Sequence, residues 1–287
     1  MSVAVGKRQL EVLLGGAPDG RPLVFHAGTP SPPVPWPSLD RAAEERGLLV
    51  VSPARPGYSG STRNPGRSVA DVVSDTTVLL DAIEADGFLT LGHSGGGPHA
   101  LACAALLPDR CRAAVSLAGV VPYDAPGFDW QSGMGEENVA EFCAALQGES
   151  VLRPYLVEEL KNFAHITGDQ VAEALGGLIT EVDRTALTGE LAEVMAASLR
   201  LAAADGLEGW LDDNLAFVAP WGFDISSISV PVAVWHGRQD KMVPFSHGEW
   251  LVEHIPSAEA RLRDDEGHLS LVANRLGDIL DGLVSLA

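Results

Sequence analysis

The segment GHSGG at residues 92–96 constrains the fold of this chain more than any other part of the sequence. It directly follows the apolar run Phe88–Leu91 and opens a helical pattern over Pro98–Leu107. Small residues allow a strand and a helix to meet in a tight, strained turn that projects a serine hydroxyl from the sheet edge. The spacing fits neither a phosphate-binding Walker loop nor a dinucleotide fingerprint. The segment therefore predicts that Ser94 is a nucleophile and that the N–H of Gly95 points at a developing oxyanion.

Both ends of the chain alternate between short aliphatic runs and helical patterns. Several runs are almost wholly apolar, as is typical of strands buried on both faces of a parallel sheet. The pattern predicts an α/β fold with a doubly wound, mostly parallel sheet. The predicted strands are Leu10–Leu14, Pro22–Phe25, Leu48–Ser52, Phe88–Leu91, Ala113–Leu117, Val230–Trp235 and Ala260–Arg263, and the predicted helices are Leu39–Arg46, Val69–Asp86, Pro98–Leu107, Ser246–His254 and Leu269–Leu283.

The middle of the chain differs from both ends in pattern and in charge. Residues 122–224 contain 19 acidic and four basic side chains, whereas residues 1–121 contain 11 and ten. Helical spacing predominates, and such a shift in composition indicates a domain boundary. We therefore expect a core formed by residues 1–121 and 225–287, interrupted by a mostly helical cap at 122–224. Its predicted helices are Glu136–Leu146, Val151–Phe163, Val171–Leu178 and Thr185–Ala204.

The net charge of −20 narrows the possible partners. It argues against binding to nucleic acid or to an anionic membrane, because both surfaces would repel the chain. No apolar run is long enough to span a membrane, and the first residues do not have the pattern of a signal peptide. The three cysteines are too few and too scattered for a disulfide framework or a zinc site, so we expect reduced, buried thiols. The prediction is a cytoplasmic protein.

A serine nucleophile needs a general base, and the base needs an acid to orient it. Asp240 and His268 each come soon after a predicted strand, in the chain order serine, aspartate, histidine. Three rival acids, Asp264, Asp265 and Glu266, are too close to His268 in sequence to reach its far nitrogen easily. We therefore predict a triad of Ser94, His268 and Asp240. The other seven histidines are interpreted as structural or exposed.

A second oxyanion donor is expected after an early strand, at HAGTP in residues 26–30. The backbone N–H of Gly28 or of Thr29 could pair with that of Gly95, and the sequence does not choose between the two. We expect the side chain of His26 to brace this loop through hydrogen bonds.

These motifs together resemble the α/β-hydrolase fold family over nearly the whole chain. The resemblance rests on HAGTP at 26–30, ARPGYSGS at 54–61, GHSGGGP at 92–98, HGRQD at 236–240 and EGH at 266–268. It implies the triad and oxyanion donors named above, and a cap inserted after the sixth strand of the family's core. Two departures stand out: Ala27 replaces a usual glycine, and Gly95 replaces a bulkier residue, which predicts more room beside the nucleophile. A serine at position 94 also separates the chain from branches of the family that use aspartate there.

Aromatic side chains in and near the cap are the candidates for the substrate pocket, although packing within the cap competes as an interpretation. The candidates are Trp36, Phe142, Trp210, Phe217 and Trp221. Asp212 and Asp213, beside Trp210, could contact a cationic group, but we interpret them as a solvated helix end. No residues have the spacing of a metal site and no organic cofactor motif is present, so we expect neither.

The predicted activity is hydrolysis of a small or medium-sized, neutral, partly apolar carboxylic ester or lactone through an acyl-enzyme. A peptidase or a carbon–carbon bond hydrolase with the same triad is an alternative, as is a small-molecule receptor on the same fold. Because the cap carries most of the negative charge, anionic substrates are expected to react poorly at low salt.

Overall fold

Eight strands form one sheet in the computed structural model, which describes residues 1–287. Their order is β1-β2-β4-β3-β5-β6-β7-β8, and β3 to β8 run parallel, while β1 and β2 are antiparallel to their neighbours. The mostly parallel sheet predicted from the sequence is confirmed. The strands are β1 Ser2–Val5, β2 Arg8–Gly16, β3 Arg21–His26, β4 Leu48–Pro53, β5 Phe88–His93, β6 Cys111–Leu117, β7 Val232–Gly237 and β8 Ala258–Arg263. The sequence pattern missed β1, the short outermost strand on one side of the sheet.

Helices cover both faces of the sheet, which explains the nearly continuous apolar character of the central strands. One face carries α1 (Pro37–Glu44) and α11 (His268–Ser285), and the other carries α2 (Val72–Ala82), α3 (Gly97–Leu106) and α10 (Phe245–His254). The carboxyl ends of the parallel strands lie together along one edge of the sheet, and α/β proteins place their binding and catalytic sites at this edge.

Only helices and loops connect β6 to β7. The helices are α4 Glu136–Leu146, α5 Glu149–Phe163, α6 Gly168–Ala174, α7 Glu181–Ala186, α8 Gly189–Asp205 and α9 Glu208–Phe217. The helix predicted for Thr185–Ala204 corresponds to α8, but its predicted start is too early, because α7 ends at Ala186 and Gly189, where α8 begins, has a φ of +53°. The sequence pattern also missed α9. We call residues 122–224 the insertion.

The insertion has its own apolar cluster, which includes Leu152, Phe163 and Trp210 and which also takes in Tyr58 and Leu269 of the core. The two parts therefore share buried surface.

Two further expectations concern the cysteines and the membrane. Cys103 and Cys111 are buried as expected, but Cys143 is exposed on α4. No helix has both the length and the apolar character that crossing a bilayer requires.

Candidate active site

Ser94 lies in a strained turn between β5 and α3. Its φ is +54°, in the left-handed region that disfavours residues with a side chain. A Cβ at Gly92 would lie 2.0 Å from the carbonyl oxygen of Gly96, and one at Gly96 would lie 1.9 Å from the carbonyl oxygen of His26. The glycines are therefore required by the close approach of strand, turn and the loop after β3. Strain of this kind is often retained at functional sites.

His268 and Asp240 form a buried pair at the same sheet edge. The Nδ1 atom of His268 lies 2.7 Å from Oδ2 of Asp240, which leaves Nε2 of the ring for another partner. Oδ1 of Asp240 accepts hydrogen bonds from the N–H groups of Met242 and Val243, at 2.8 Å each, and these fix the carboxylate. Burial lowers the pKa of His268, but the charge and hydrogen bond of Asp240 outweigh it, and the net pKa is raised. Ser94 and His268 line one cavity.

The three rival acids bind elsewhere. Asp264 pairs with Arg238, Asp265 pairs with Arg275, and Glu266 accepts hydrogen bonds from Asn274 and Arg275. None of their recorded hydrogen bonds or ion pairs involves His268.

Two other histidines near the site, His93 and His26, have surroundings that indicate structural roles. The ring of His93 lies 4.9 Å from that of His268, and burial lowers the pKa of His93 to about 3. The ring of His26 is fully buried, with Nδ1 unpaired and Nε2 3.8 Å from Sγ of Cys103. The expectation that His26 braces the loop by side-chain hydrogen bonds is therefore wrong.

A buried arginine from the loop after β4 performs that bracing. The Nη1 atom of Arg55 donates to the carbonyl oxygen of Ala27 at 2.5 Å, and Nη2 donates to that of Gly28 at 2.9 Å. Because a trans peptide directs its C=O and N–H in opposite directions, this turns the N–H of Gly28 away from the guanidinium. The structure records no acceptor for the N–H of Gly28 or of Thr29. Both donors predicted from the sequence are thus free, and the geometry leaves the choice open.

Gly28 lies against the serine. A Cβ at this position would be 3.3 Å from Cβ and 3.8 Å from Oγ of Ser94. The prediction of extra room at Gly95 is wrong. A Cβ there would be 2.6 Å from Oγ1 of Thr29 and 3.0 Å from Cζ of Phe217, so neighbouring side chains already fill that space.

Asp213 links the insertion to the loop after β3, contrary to the prediction of a solvated helix end. This fully buried residue of α9 accepts hydrogen bonds from Arg55, Arg67, Tyr58 and Thr29, at distances of 2.6 to 2.9 Å for the shortest contact of each. Burial alone would raise the pKa of Asp213, but the charges of Arg55 and Arg67 hold it well below its usual value.

Asp212 is also buried and pairs with Arg63, so the prediction of a solvated helix end is wrong for this residue as well. The ARPGYSGS motif and the Asp-Asp pair were visible in the sequence, but nothing in it showed that they meet.

A second carboxylate of the insertion supports the histidine. Asp183 of α7 is fully buried and accepts hydrogen bonds from the backbone N–H groups of His268, Leu269 and Ser270, at 3.2, 2.9 and 2.8 Å. These are unpaired donors of the first turn of α11, where a negative charge is also favoured by the helix dipole. A Cβ at Gly267 would lie 2.5 Å from Oδ2 of Asp183. No sequence signal marks this contact.

Three cavities with shared lining residues lie near the serine. The cavity containing Ser94 and His268 has a volume of about 970 Å³ and includes Trp210. A smaller one of about 420 Å³ contains Ser94, Gly95, Phe142 and Phe217. A mostly apolar cavity of about 870 Å³ includes Trp36 and shares the first cavity's wall at Gly28 and His93.

Trp221 is the one pocket candidate that the structure does not place at these cavities. It is buried, and its Nε1 donates to the carbonyl oxygen of Phe217. No cluster of three or more histidine, cysteine, aspartate or glutamate side chains has the geometry to hold a metal ion.

Comparison with known proteins gives a consistent family. A family model described as "alpha/beta hydrolase fold" matches residues 21–274. The chain is 27% identical to a non-heme chloroperoxidase of Streptomyces lividans over 233 residues, which are 80% of this chain and 78% of the relative. It is 24% identical to a 2-hydroxymuconate semialdehyde hydrolase of Pseudomonas putida, over 92% of this chain and 86% of the relative. A solved esterase of Thermogutta terrifontis superposes with a TM-score of 0.72 at 19% identity, covering 100% of this chain and 98% of that one.

Proposed function

The chain belongs to the α/β-hydrolase fold family, and from that premise we propose that it is a serine hydrolase acting on a carboxylic ester or lactone. The observation that carries the proposal is the Asp240–His268 pair, at 2.7 Å, with His268 lining the same cavity as the strained Ser94. A base held by a buried acid beside a serine on a tight turn is the arrangement that activates a hydroxyl.

The reaction would proceed through an acyl-enzyme. Nε2 of His268 takes the proton of Ser94 as Oγ attacks the carbonyl carbon, and the resulting oxyanion accepts hydrogen bonds from the N–H of Gly95 and of Gly28 or Thr29. The tetrahedral intermediate collapses, and the alkoxide leaves with the proton that His268 carried. Water then gives a proton to the same nitrogen and attacks the acyl carbonyl, which releases the acid and restores Ser94.

Asp240 would support both steps. Its contact with Nδ1 fixes the ring orientation and stabilises the imidazolium that forms when His268 holds the serine proton. The raised pKa of His268 is the equilibrium expression of that stabilisation. The two backbone N–H groups that hold Asp240 keep its carboxylate aimed at the ring.

The size and lining of the cavities support a small or medium-sized substrate with a neutral, partly apolar acyl part. The apolar cavity beside Gly28 and His93 is lined mainly by aliphatic and aromatic side chains, such as Phe25, Val34 and Trp36. We propose that the insertion at 122–224 acts as the cap over this site. The cytoplasmic location stays a prediction from the sequence.

The alternatives are a peptidase or carbon–carbon bond hydrolase with the same triad, and a receptor. The name of the Pseudomonas relative specifies a muconate, which carries carboxylate charge. The cavity at Ser94 has three glutamates and no lysine or arginine, which disfavours an anion of that kind. A receptor that has lost turnover would not need a free donor pair beside an intact triad.

Labelling with a fluorophosphonate and turnover of p-nitrophenyl acetate test the proposal. We expect wild-type protein to label and turn over, and Ser94→Ala to do neither. Labelling that survives Ser94→Ala, or a wild-type chain that neither labels nor turns over, would overturn the hydrolase assignment.

The acid of the triad has its own test. Asp240→Asn should lower kcat by about 10⁴-fold, because the amide favours the wrong ring tautomer. The matched control Asp264→Asn removes an exposed carboxylate of a neighbouring loop and should leave kcat unchanged. Near-normal turnover of Asp240→Asn would contradict its assigned role.

A further inference from the structure

The cavity above Ser94 has an unbalanced charge. Three of its lining residues are glutamates, namely Glu137 and Glu141 of α4 and Glu159 of α5, whereas none is a lysine or an arginine. The remaining titratable side chains at its wall are His93, His268 and Tyr155. Negative charge in a concave site with low-dielectric walls produces a strong local field, which attracts cations and repels anions.

Glu141 is the one cavity glutamate that also lies at the second cavity beside Ser94. It lines both the large cavity and the smaller one that contains Ser94 and Gly95. Its Oε1 accepts hydrogen bonds from Nε1 of Trp210 at 2.5 Å and from Nδ2 of Asn214 at 2.6 Å. No protein donor is recorded for Oε2. One oxygen is thus fixed by the insertion while the other has no partner in the protein.

The pKa values describe the same imbalance. Burial raises the pKa of Glu141 to about 7, and the charge of Glu159 adds to the effect. Burial, and after it the charges of Glu141, Glu159 and Glu137, raise the pKa of Tyr155. No lysine or arginine lines the cavity to offset these charges, so a positively charged ligand would bind with a favourable Coulomb energy.

Aromatic faces line the same cavity. Phe163 and Trp210 are stacked with their ring centroids 5.8 Å apart, and Tyr155 lies on the same helix as Phe163. Aromatic faces attract ammonium groups, and tryptophan does so most strongly. A carboxylate fixed by an indole beside further aromatic rings is therefore suited to an amine.

We propose that this cavity binds a protonated amine carried by the substrate, with Glu141 as its counter-ion and Glu159 in support. The inference rests on the proposed ester hydrolysis and adds the substrate class. The ester group itself is uncharged, and the cationic amine is attached either to the alcohol part, which leaves the acyl part neutral, or to the acyl part itself. Assays with esters of both kinds distinguish the two positions.

Two pairs of esters that differ only in charge provide the test. The first pair is 3-(dimethylamino)propyl butyrate and 4-methylpentyl butyrate, with the amine in the alcohol part. The second is methyl 4-(dimethylamino)butanoate and methyl 5-methylhexanoate, with the amine in the acyl part. At pH 8 we expect kcat/KM of wild-type protein to be at least ten-fold higher for the amine of one pair than for its neutral partner.

The variant Glu141→Gln keeps the oxygen that accepts from Trp210 and Asn214 but removes the charge. It should lower the ratio of kcat/KM for the amine ester to kcat/KM for its neutral partner by about ten-fold. The side chain of Glu159 has no recorded hydrogen bond, so Glu159→Gln should fold normally. It should lower the preference for the amine ester by a smaller factor, which keeps the test valid if Glu141→Gln misfolds. The matched control Glu136→Gln removes an exposed charge of α4 outside the cavity and should change neither value.

Binding to Ser94→Ala separates this inference from the proposed activity. Isothermal titration calorimetry with the uncleaved esters should show at least ten-fold tighter binding of the amine ester, with the difference reduced by the added Glu141→Gln. Tight amine binding without turnover by wild-type protein would overturn the ester hydrolysis but support the amine site. Equal binding of both partners in each pair, with normal turnover of the neutral esters, would overturn the amine site alone.

Discussion

The insertion brings carboxylates to one site in two opposite ways. Asp183 of α7 and Asp213 of α9 are fully buried and bound to core groups, the first to backbone N–H groups of α11 and the second to two arginines. We call these two the docking carboxylates. The glutamates of α4 and α5 that line the cavity, Glu137, Glu141 and Glu159, have no lysine or arginine among the lining residues and are the cavity carboxylates. The net charge of the insertion therefore has at least two separate physical roles, in stability and in the field at the cavity.

The largest expected effect separates the docking carboxylates from ordinary ion pairs. Asp213→Asn leaves Arg55 and Arg67 buried without a counter-charge, which should lower the free energy of unfolding by about 3–5 kcal/mol. Urea denaturation measures this loss. The adjacent Asp212→Asn is the matched control, since Arg63 is partly exposed and can turn to solvent, and its loss should be clearly smaller. Equal losses would show that the arginines at Asp213 are solvated after all.

The same pair of proteins has a defined pH signature. Because the folded-state pKa of Asp213 is depressed, its contribution to stability is fully present above the unfolded pKa of about 3.9 and is lost as pH falls toward the folded pKa. The difference between wild type and Asp213→Asn should therefore be constant from pH 5 to 7 and should shrink below about pH 3.9.

The intermediate effect tests whether a docking carboxylate also tunes the histidine. Asp183→Ala removes the acceptor for three N–H groups and should lower the free energy of unfolding by about 2 kcal/mol. The charge of Asp183 also helps to raise the pKa of His268, so the acidic limb of the kcat/KM profile should move to lower pH. Thr167→Ala, which removes the cap of α6 within the insertion, should affect stability without moving that limb. An unmoved limb in Asp183→Ala would reduce its role to helix capping.

The smallest expected effect tests the electric field that the cavity carboxylates produce at a distance. For esters matched in size, the ratio of kcat/KM for an anionic ester to that for a neutral one should rise about two- to five-fold between 10 mM and 500 mM salt, because the Debye length contracts across that range. Steady-state kinetics measures the ratio. A flat ratio would show that the field of the insertion does not extend to the entrance of the site.

The sequence predicted what depends on local chemistry. The strand–turn–helix context of Ser94 determines its backbone strain, and the strand ends that precede Asp240 and His268 place them at the same sheet edge. The contacts of Asp213 with Arg55 and of Asp183 with the α11 backbone join residues 158 and 85 or more positions apart. No periodicity or motif specifies which side chains meet when an insertion folds back on a core. The prediction of extra room at Gly95 is wrong for the same reason, since a missing side chain indicates space only if no neighbouring side chain fills it.

The hydrogen bonds of Arg55 to the loop after β3 affect which segments could be exchanged between related proteins. Its guanidinium holds two carbonyl oxygens of the core and, through Asp213, a helix of the insertion. A chimaera that replaced only residues 122–224 would separate Arg55 and Arg67 from their counter-charge unless the donor supplied an equivalent acid. The smallest unit that could be transferred is therefore discontinuous in sequence and combines the insertion with residues 55–67. The domain boundary that composition suggests would separate Asp213 from the arginines that pair with it.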